Sequence, residues 1–208
     1  MHKKIKLFIL ILLSSSVYFI YLGTNNSTYT ILNIGEKRYG EYLKEYYEIQ
    51  KDKVILNNKY TEKDQTIKNL LLKIQETPSI KKDLANANLL LLNIGYNDVI
   101  YKEAREENPK DYYKEIDKNY QLLIKEIKKY YHNKIIVIGY YNKHHKDMTK
   151  LNNILKSSKD ILYIDTSNLL KKEEKYFDNS SSYDLNHYGY CVISKKIIRK
   201  TLEIQENI

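Results

Sequence analysis

The chain has a single cysteine, Cys191, and no tryptophan among its 208 residues. One thiol excludes an intramolecular disulfide framework and a cysteine-based zinc cluster, and it is compatible with either side of a membrane. Three of the histidines, His132, His144 and His145, have no carboxylate or cysteine partner at metal-ligand spacing, so no metal site is expected. There is no P-loop, no G-x-G-x-x-G and no internal repeat, so neither a nucleotide nor another cofactor is implied. The basic residues form no arginine-rich cluster with interleaved aromatics, and nucleic acid is not an expected partner.

What is present is a globular composition with 42% hydrophobic and 29% charged residues, enough for one domain with its own core. Two prolines and 22 tyrosines, with abundant Lys, Ile and Asn, indicate a bias spread over the whole chain. A formal charge of +9 favours anionic surroundings such as lipid headgroups or wall polymers.

The N-terminus, MHKKIKLFILILLSSSVYFIYLGT, sets Lys3, Lys4 and Lys6 before an uncharged apolar run from Leu7 to Leu22. This is the layout of an export signal. As a helix the run would rise about 24 Å, short of a roughly 30 Å hydrocarbon core, with snorkelling lysines and Tyr18 and Tyr21 extending its reach. No A-x-A cleavage site and no lipoprotein cysteine follow, so residues 1–24 read as a membrane anchor and 25–208 as a domain outside the cytoplasm, with a secreted form as the alternative.

Beyond a polar linker at 25–27, short apolar strands alternate with helical periodicities. STYTILNIG, KVILNN, NLLLLNIG, KIIVIG and ILYIDTS read as strands. Helices are expected over 39–51, 61–76 with Thr61 as N-cap, 109–133, 148–156 and 188–205. This order implies an α/β layer with a mainly parallel sheet, in which function collects beyond the carboxyl ends of the strands. Three loops meet that condition: 35–39, 95–98 and 139–142.

NIGYND after the central strand and DLNH before the last helix resemble the third and fifth sequence blocks of the SGNH/GDSL hydrolases, over about 29–198. The resemblance implies a flavodoxin-like three-layer α/β/α sandwich and ester-hydrolase chemistry on lipid, ester or carbohydrate substrates. It implies that Asn97, within Gly95-Tyr96-Asn97-Asp98, donates to an oxyanion. It further implies that His187 is the general base, with Asp184 orienting its imidazole.

The nucleophile departs from the family pattern. In one alignment Gly35 matches the glycine of the family's block after the first strand, Glu36 stands for its aspartate and Lys37 occupies the serine position; in the other the serine loop is deleted and YGEYL matches the helix that follows it, and both remove the serine. Lysine cannot replace serine in ester hydrolysis, because the amide it forms does not turn over. Ser167 reads as a helix N-cap, Ser180, Ser181 and Ser182 do not fit the family geometry, and Cys191 reads as part of the buried stripe of the last helix.

Three functions remain open. One is a catalytically degenerate SGNH-type protein that binds carbohydrate or wall polymer. A second is an active esterase or deacetylase using an unrecognised nucleophile or a water activated by His187. The third is a non-enzymatic surface interaction protein. Substrate and oligomeric state are not encoded in any motif.

Overall fold

The computed structural model describes residues 8–13, 16–21, 28–51, 53–141, 147–168, 170, 174–178 and 184–205. Lys3, Lys4 and Lys6, His144, His145 and Ser180 to Ser182 lie outside the described residues. Phe8–Leu13 (β1) and Ser16–Tyr21 (β2) pair antiparallel, with Leu13 opposite Ser16, where the sequence leads one to expect a single apolar helix. These segments are rich in Ile, Leu, Val, Phe and Tyr, several of which favour strands, and outside lipid nothing obliges a segment to satisfy its backbone groups internally. Among the described residues no helix is long and apolar enough to cross a membrane.

The domain is built on Tyr29–Ile34 (β3), Val54–Asn57 (β4), Leu89–Leu92 (β5), Ile135–Ile138 (β6) and Ile161–Ile164 (β7). They form one sheet in the order β4-β3-β5-β6-β7, every neighbouring pair parallel. The expected three-layer α/β/α sandwich is therefore the observed one, with the flavodoxin-type strand order.

The central strands are short and apolar throughout because helices cover both faces. Period-two alternation divides their side chains between two cores. Leu32, Ile34, Leu90, Leu92, Ile135 and Val137 join one core. It is roofed by Ile67–Glu76 (α2), Pro78–Asn86 (α3), Pro109–Ile127 (α5) and Thr149–Leu155 (α6). Ile31, Leu89, Leu91, Ile136 and Ile138 join the other, beneath Lys37–Glu48 (α1) and His187–Gln205 (α7). In α5 the buried Tyr112, Ile116, Tyr120, Leu123 and Ile127 recur at the three- and four-residue spacing of one helical stripe.

Two helices escape the sequence reading. Tyr96–Ala104 (α4) begins inside the expected polar turn, with Gly95 as its N-cap at φ 111° and Asp98 in its first turn. The α3 helix starts on Pro78, whose fixed φ suits a first helical position, and buries Ile80 and Leu84. The α2 helix is shorter than expected. Its N-cap is Thr66, whose side chain accepts from the Asn69 N–H, while the Thr61 hydroxyl donates to Asn58 O at 2.7 Å.

Candidate functional site

The strand order reverses at β3. The α1 crossover leads outward to β4, and the α2–α3 crossover returns to β5 on the other side. Such a switch point leaves a crevice at the strand carboxyl ends. Here it is a groove of about 540 Å³, walled by Gly35, Glu36, Lys37, residues 61–65, residues 93–97 and Tyr140. Gly35 has φ 123°, and a Cβ there would sit 2.2 Å from Asn93 O. Only glycine allows the two strand ends to approach so closely.

Asn97 and Asp98 brace one wall. The Asn97 amide nitrogen donates to Lys63 O at 2.9 Å and Gln65 O at 3.1 Å, which commits both of its hydrogens to the 61–66 loop. Acting on an oxyanion would require releasing one of them. Asp98 accepts the Ile67 N–H at 3.0 and 3.2 Å and so caps the start of α2. It is 9% exposed, and burial pushes its carboxyl up to about 6, against the hydrogen bond from Ile67.

Between these braces lies Gln65, 7% exposed, on the groove wall. Neither its amide oxygen nor its amide nitrogen has a hydrogen-bond partner. Leaving such a group buried and unpaired costs about 1–3 kcal/mol. On the same groove, the rings of Tyr96 and Tyr140 lie 5.8 Å apart. Asn152 fixes Tyr140 by accepting from its N–H at 2.8 Å and donating to its carbonyl at 2.7 Å.

At the head of α1 the two residues that follow Gly35 diverge. Lys37 is exposed and pairs along the helix with Glu41 at 3.3 Å. Glu36 caps α1 by accepting the Arg38 N–H at 3.2 Å, and its negative charge helps burial hold the Tyr190 phenol above its ordinary range. The Arg38 guanidinium covers the Tyr190 ring at 4.8 Å.

The Asp184 to His187 pair takes an arrangement that the spacing alone does not specify. His187 is the first residue of α7 and is exposed. Its Nδ1 lies 2.6 Å from the Tyr42 hydroxyl, where the resemblance implies the Asp184 carboxylate. Asp184 is exposed, and its charge acts on Tyr190 and Tyr141. The other imidazole nitrogen, Nε2, lies 3.6 Å from Cys191 Sγ. Cys191 is half-buried and so stands beside the core stripe of α7, which consists of Tyr190, Ile193 and Ile197.

Neither Asp184 nor His187 is among the groove-lining residues, whereas Gly35, Gly95 and Asn97 are. The sequence-derived residues therefore form two groups, one on the groove and one around the start of α7. Gln65, Tyr140 and Tyr42 carry no motif signal, although the four-residue step from His187 to Cys191 is legible as one helix face. The aliphatic hydroxyl among the groove residues, that of Thr61, is already donated to Asn58 O. Among the described residues, no three His, Cys, Asp or Glu side chains gather into a metal site.

No protein-family model matches the chain, and no curated protein does. Its fold is similar to that in the crystal structure of the lipase Lip_vut3 from a goat rumen metagenome, with a TM-score of 0.58 and 16% identity over 83% of this chain and 96% of the lipase. At that identity the likeness establishes a shared α/β fold.

Proposed function

We propose that the protein is a member of the SGNH/GDSL hydrolase type that has lost its groove nucleophile and binds a carbohydrate or wall-polymer segment at the carboxyl ends of β3 and β5. The observation that carries this reading is Gln65, a residue of the groove wall whose amide donor and acceptor are both buried and unpaired, so that a ligand pairs with them by shifting the wall that covers them. A vicinal diol or acetamido group offers both complementary partners to a planar amide. Tyr96 and Tyr140 supply aromatic surface for the apolar face of a sugar ring, and Glu36, Glu62 and Asp64 supply acceptors for hydroxyls. A serine hydrolase in this groove is disfavoured because Glu36 and Lys37 stand where the nucleophile belongs. In lipid the apolar run at 7–22 would have to satisfy its backbone internally as a helix rather than as the β1–β2 pair, and in that form it would hold the domain outside the cytoplasm, where such polymers occur.

Calorimetry with a tetramer of N-acetylglucosamine tests the binding reading. Binding that Gln65→Ala and Tyr96→Ala each weaken about tenfold, the loss of roughly 1.4 kcal/mol, supports it. Heat signals indistinguishable from dilution, or affinity unchanged in both variants, would reject it. Protease protection of the domain in sealed inverted vesicles, lost when they are opened, tests the placement outside the cytoplasm.

A further inference from the structure

The groove lacks a free nucleophile, but α7 carries one within reach of a base. Cys191 Sγ faces His187 Nε2 at 3.6 Å, and Tyr42 Oη faces Nδ1 at 2.6 Å. A nucleophile, a base and a third group that orients the base is the general layout of an activated nucleophile. Three elements of structure produce it. The i to i+4 step on α7 puts the thiol and the imidazole on one face. Packing of α1 against α7 brings Tyr42 from 145 positions away. The exposure of His187 and the half-exposure of Cys191 leave the pair open to an incoming molecule.

The hydrogen bonds permit the tautomer that a base requires. The phenol of Tyr42 is pushed up to about 12, first by burial and then by the neighbouring Cys191, so it keeps its proton at neutral pH. Its oxygen also lies 3.5 Å from the His187 main-chain carbonyl. A proton directed to that carbonyl leaves the phenol oxygen to accept from Nδ1–H. Nε2 then turns its lone pair to the thiol. Tyr188, 68% exposed with its ring 5.9 Å from the imidazole, supplies an apolar flank.

We propose that Cys191 is an acyl-accepting nucleophile, with His187 as its base and Tyr42 as the positioning residue, and that it takes simple carboxylic esters. In the first step an Sγ–C bond forms to the ester carbonyl carbon and the C–O bond to the alcohol breaks. The thiol proton passes to Nε2 and then to the departing oxygen. In the second step His187 takes a proton from water, the resulting C–O bond replaces C–S, and the proton returns to sulfur. This site is separate from the groove and stands whether or not the groove binds a glycan.

The test uses the full chain and p-nitrophenyl acetate, followed by nitrophenolate release and by peptide mass spectrometry of the acetylated positions. Acetylation concentrated on Cys191, abolished in Cys191→Ala and slowed about 100-fold in His187→Gln, the size of a general-base contribution, is the expected result. Tyr42→Phe should shift the pH profile of the acetylation rate, which a merely structural contact would leave in place. Alkylation of the unsubstituted chain by iodoacetamide gives a control that requires no variant to fold: the folded thiol should react faster at pH 7 than the same thiol in urea. Acetyl groups on lysines with Cys191 unmodified, or equal thiol rates in the folded and urea-unfolded chain, would overturn the proposal. Glycan binding is read as heat and Cys191 acetylation as peptide mass on the same unsubstituted chain, so the two readings fail separately.

Discussion

Replacing Asp98 with asparagine should stabilise the protein at neutral pH. The carboxyl ionises near its ordinary 3.8 in an unfolded chain and near 6 in the folded one. Between those values the folded state holds a proton that the unfolded state has released, so this group's contribution is full below about pH 3.8 and is lost as pH rises through about 6. A shift of about two units corresponds to about 3 kcal/mol. That is an upper bound, because Asp98 also borders a cavity of about 350 Å³ where water can screen it. Burial is the main cause, and the neighbouring charges oppose one another, Glu115 raising and Lys102 lowering the value. The amide introduced by Asp98→Asn would carry no charge yet keep an oxygen for the Ile67 N–H. Urea denaturation at a series of pH values should show this variant near parity with the unsubstituted protein at pH 4. Its advantage should grow toward about 3 kcal/mol at pH 7. Asp98→Ala sheds the charge but leaves the Ile67 N–H without its acceptor, so it should be less stable than the Asp98→Asn variant by about 1–3 kcal/mol at every pH. A stability difference between the unsubstituted protein and Asp98→Asn that stays constant with pH, or one that shrinks as pH rises, would refute the assignment of Asp98 as a desolvated helix cap.

Other expectations follow from single contacts. Gly35→Ala places a Cβ 2.2 Å from Asn93 O at φ 123°, and the strain should lower stability by about 1–3 kcal/mol or more in thermal melts. Asn97→Ala removes both bonds that hold the 61–66 loop, so proteolysis within that loop should accelerate and glycan affinity should fall, while a protected loop would count against the brace. Tyr120→Phe deletes the bond to Leu155 O at 2.8 Å in a fully buried site and should cost about 1–3 kcal/mol by denaturant titration. Leu90→Ala opens a cavity in the larger core and should cost about 2–5 kcal/mol.

Local pattern was sufficient for much of the architecture. Runs such as Leu89–Leu92 and Ile135–Ile138 declare strands buried on both faces. The apolar stripe of α5 declares its core side, and the alternation of the two kinds of segment implies the parallel sheet. Gly35 and Gly95 were legible as strand-end turns because positive φ falls to glycine. The head of α4 was not, since a glycine N-cap followed by Tyr, Asn and Asp looks the same as a loop until Asp98 is seen to hold the N–H of Ile67.

The sequence by itself determined which residues could carry chemistry: Asp184 and His187 three positions apart, Cys191 one turn further, Asn97 and Asp98 at a strand end, and no serine after β3. Tertiary structure alone decided how they are used. It gave Nδ1 of His187 to Tyr42, turned Asn97 onto the carbonyls of Lys63 and Gln65, and moved Cys191 to the edge of its stripe. The reason is that periodicity records which face of an element is apolar. The partner of a polar side chain is set by which element lies across from it, and here that follows from the packing of α1 on α7 and of the 61–66 loop on α4.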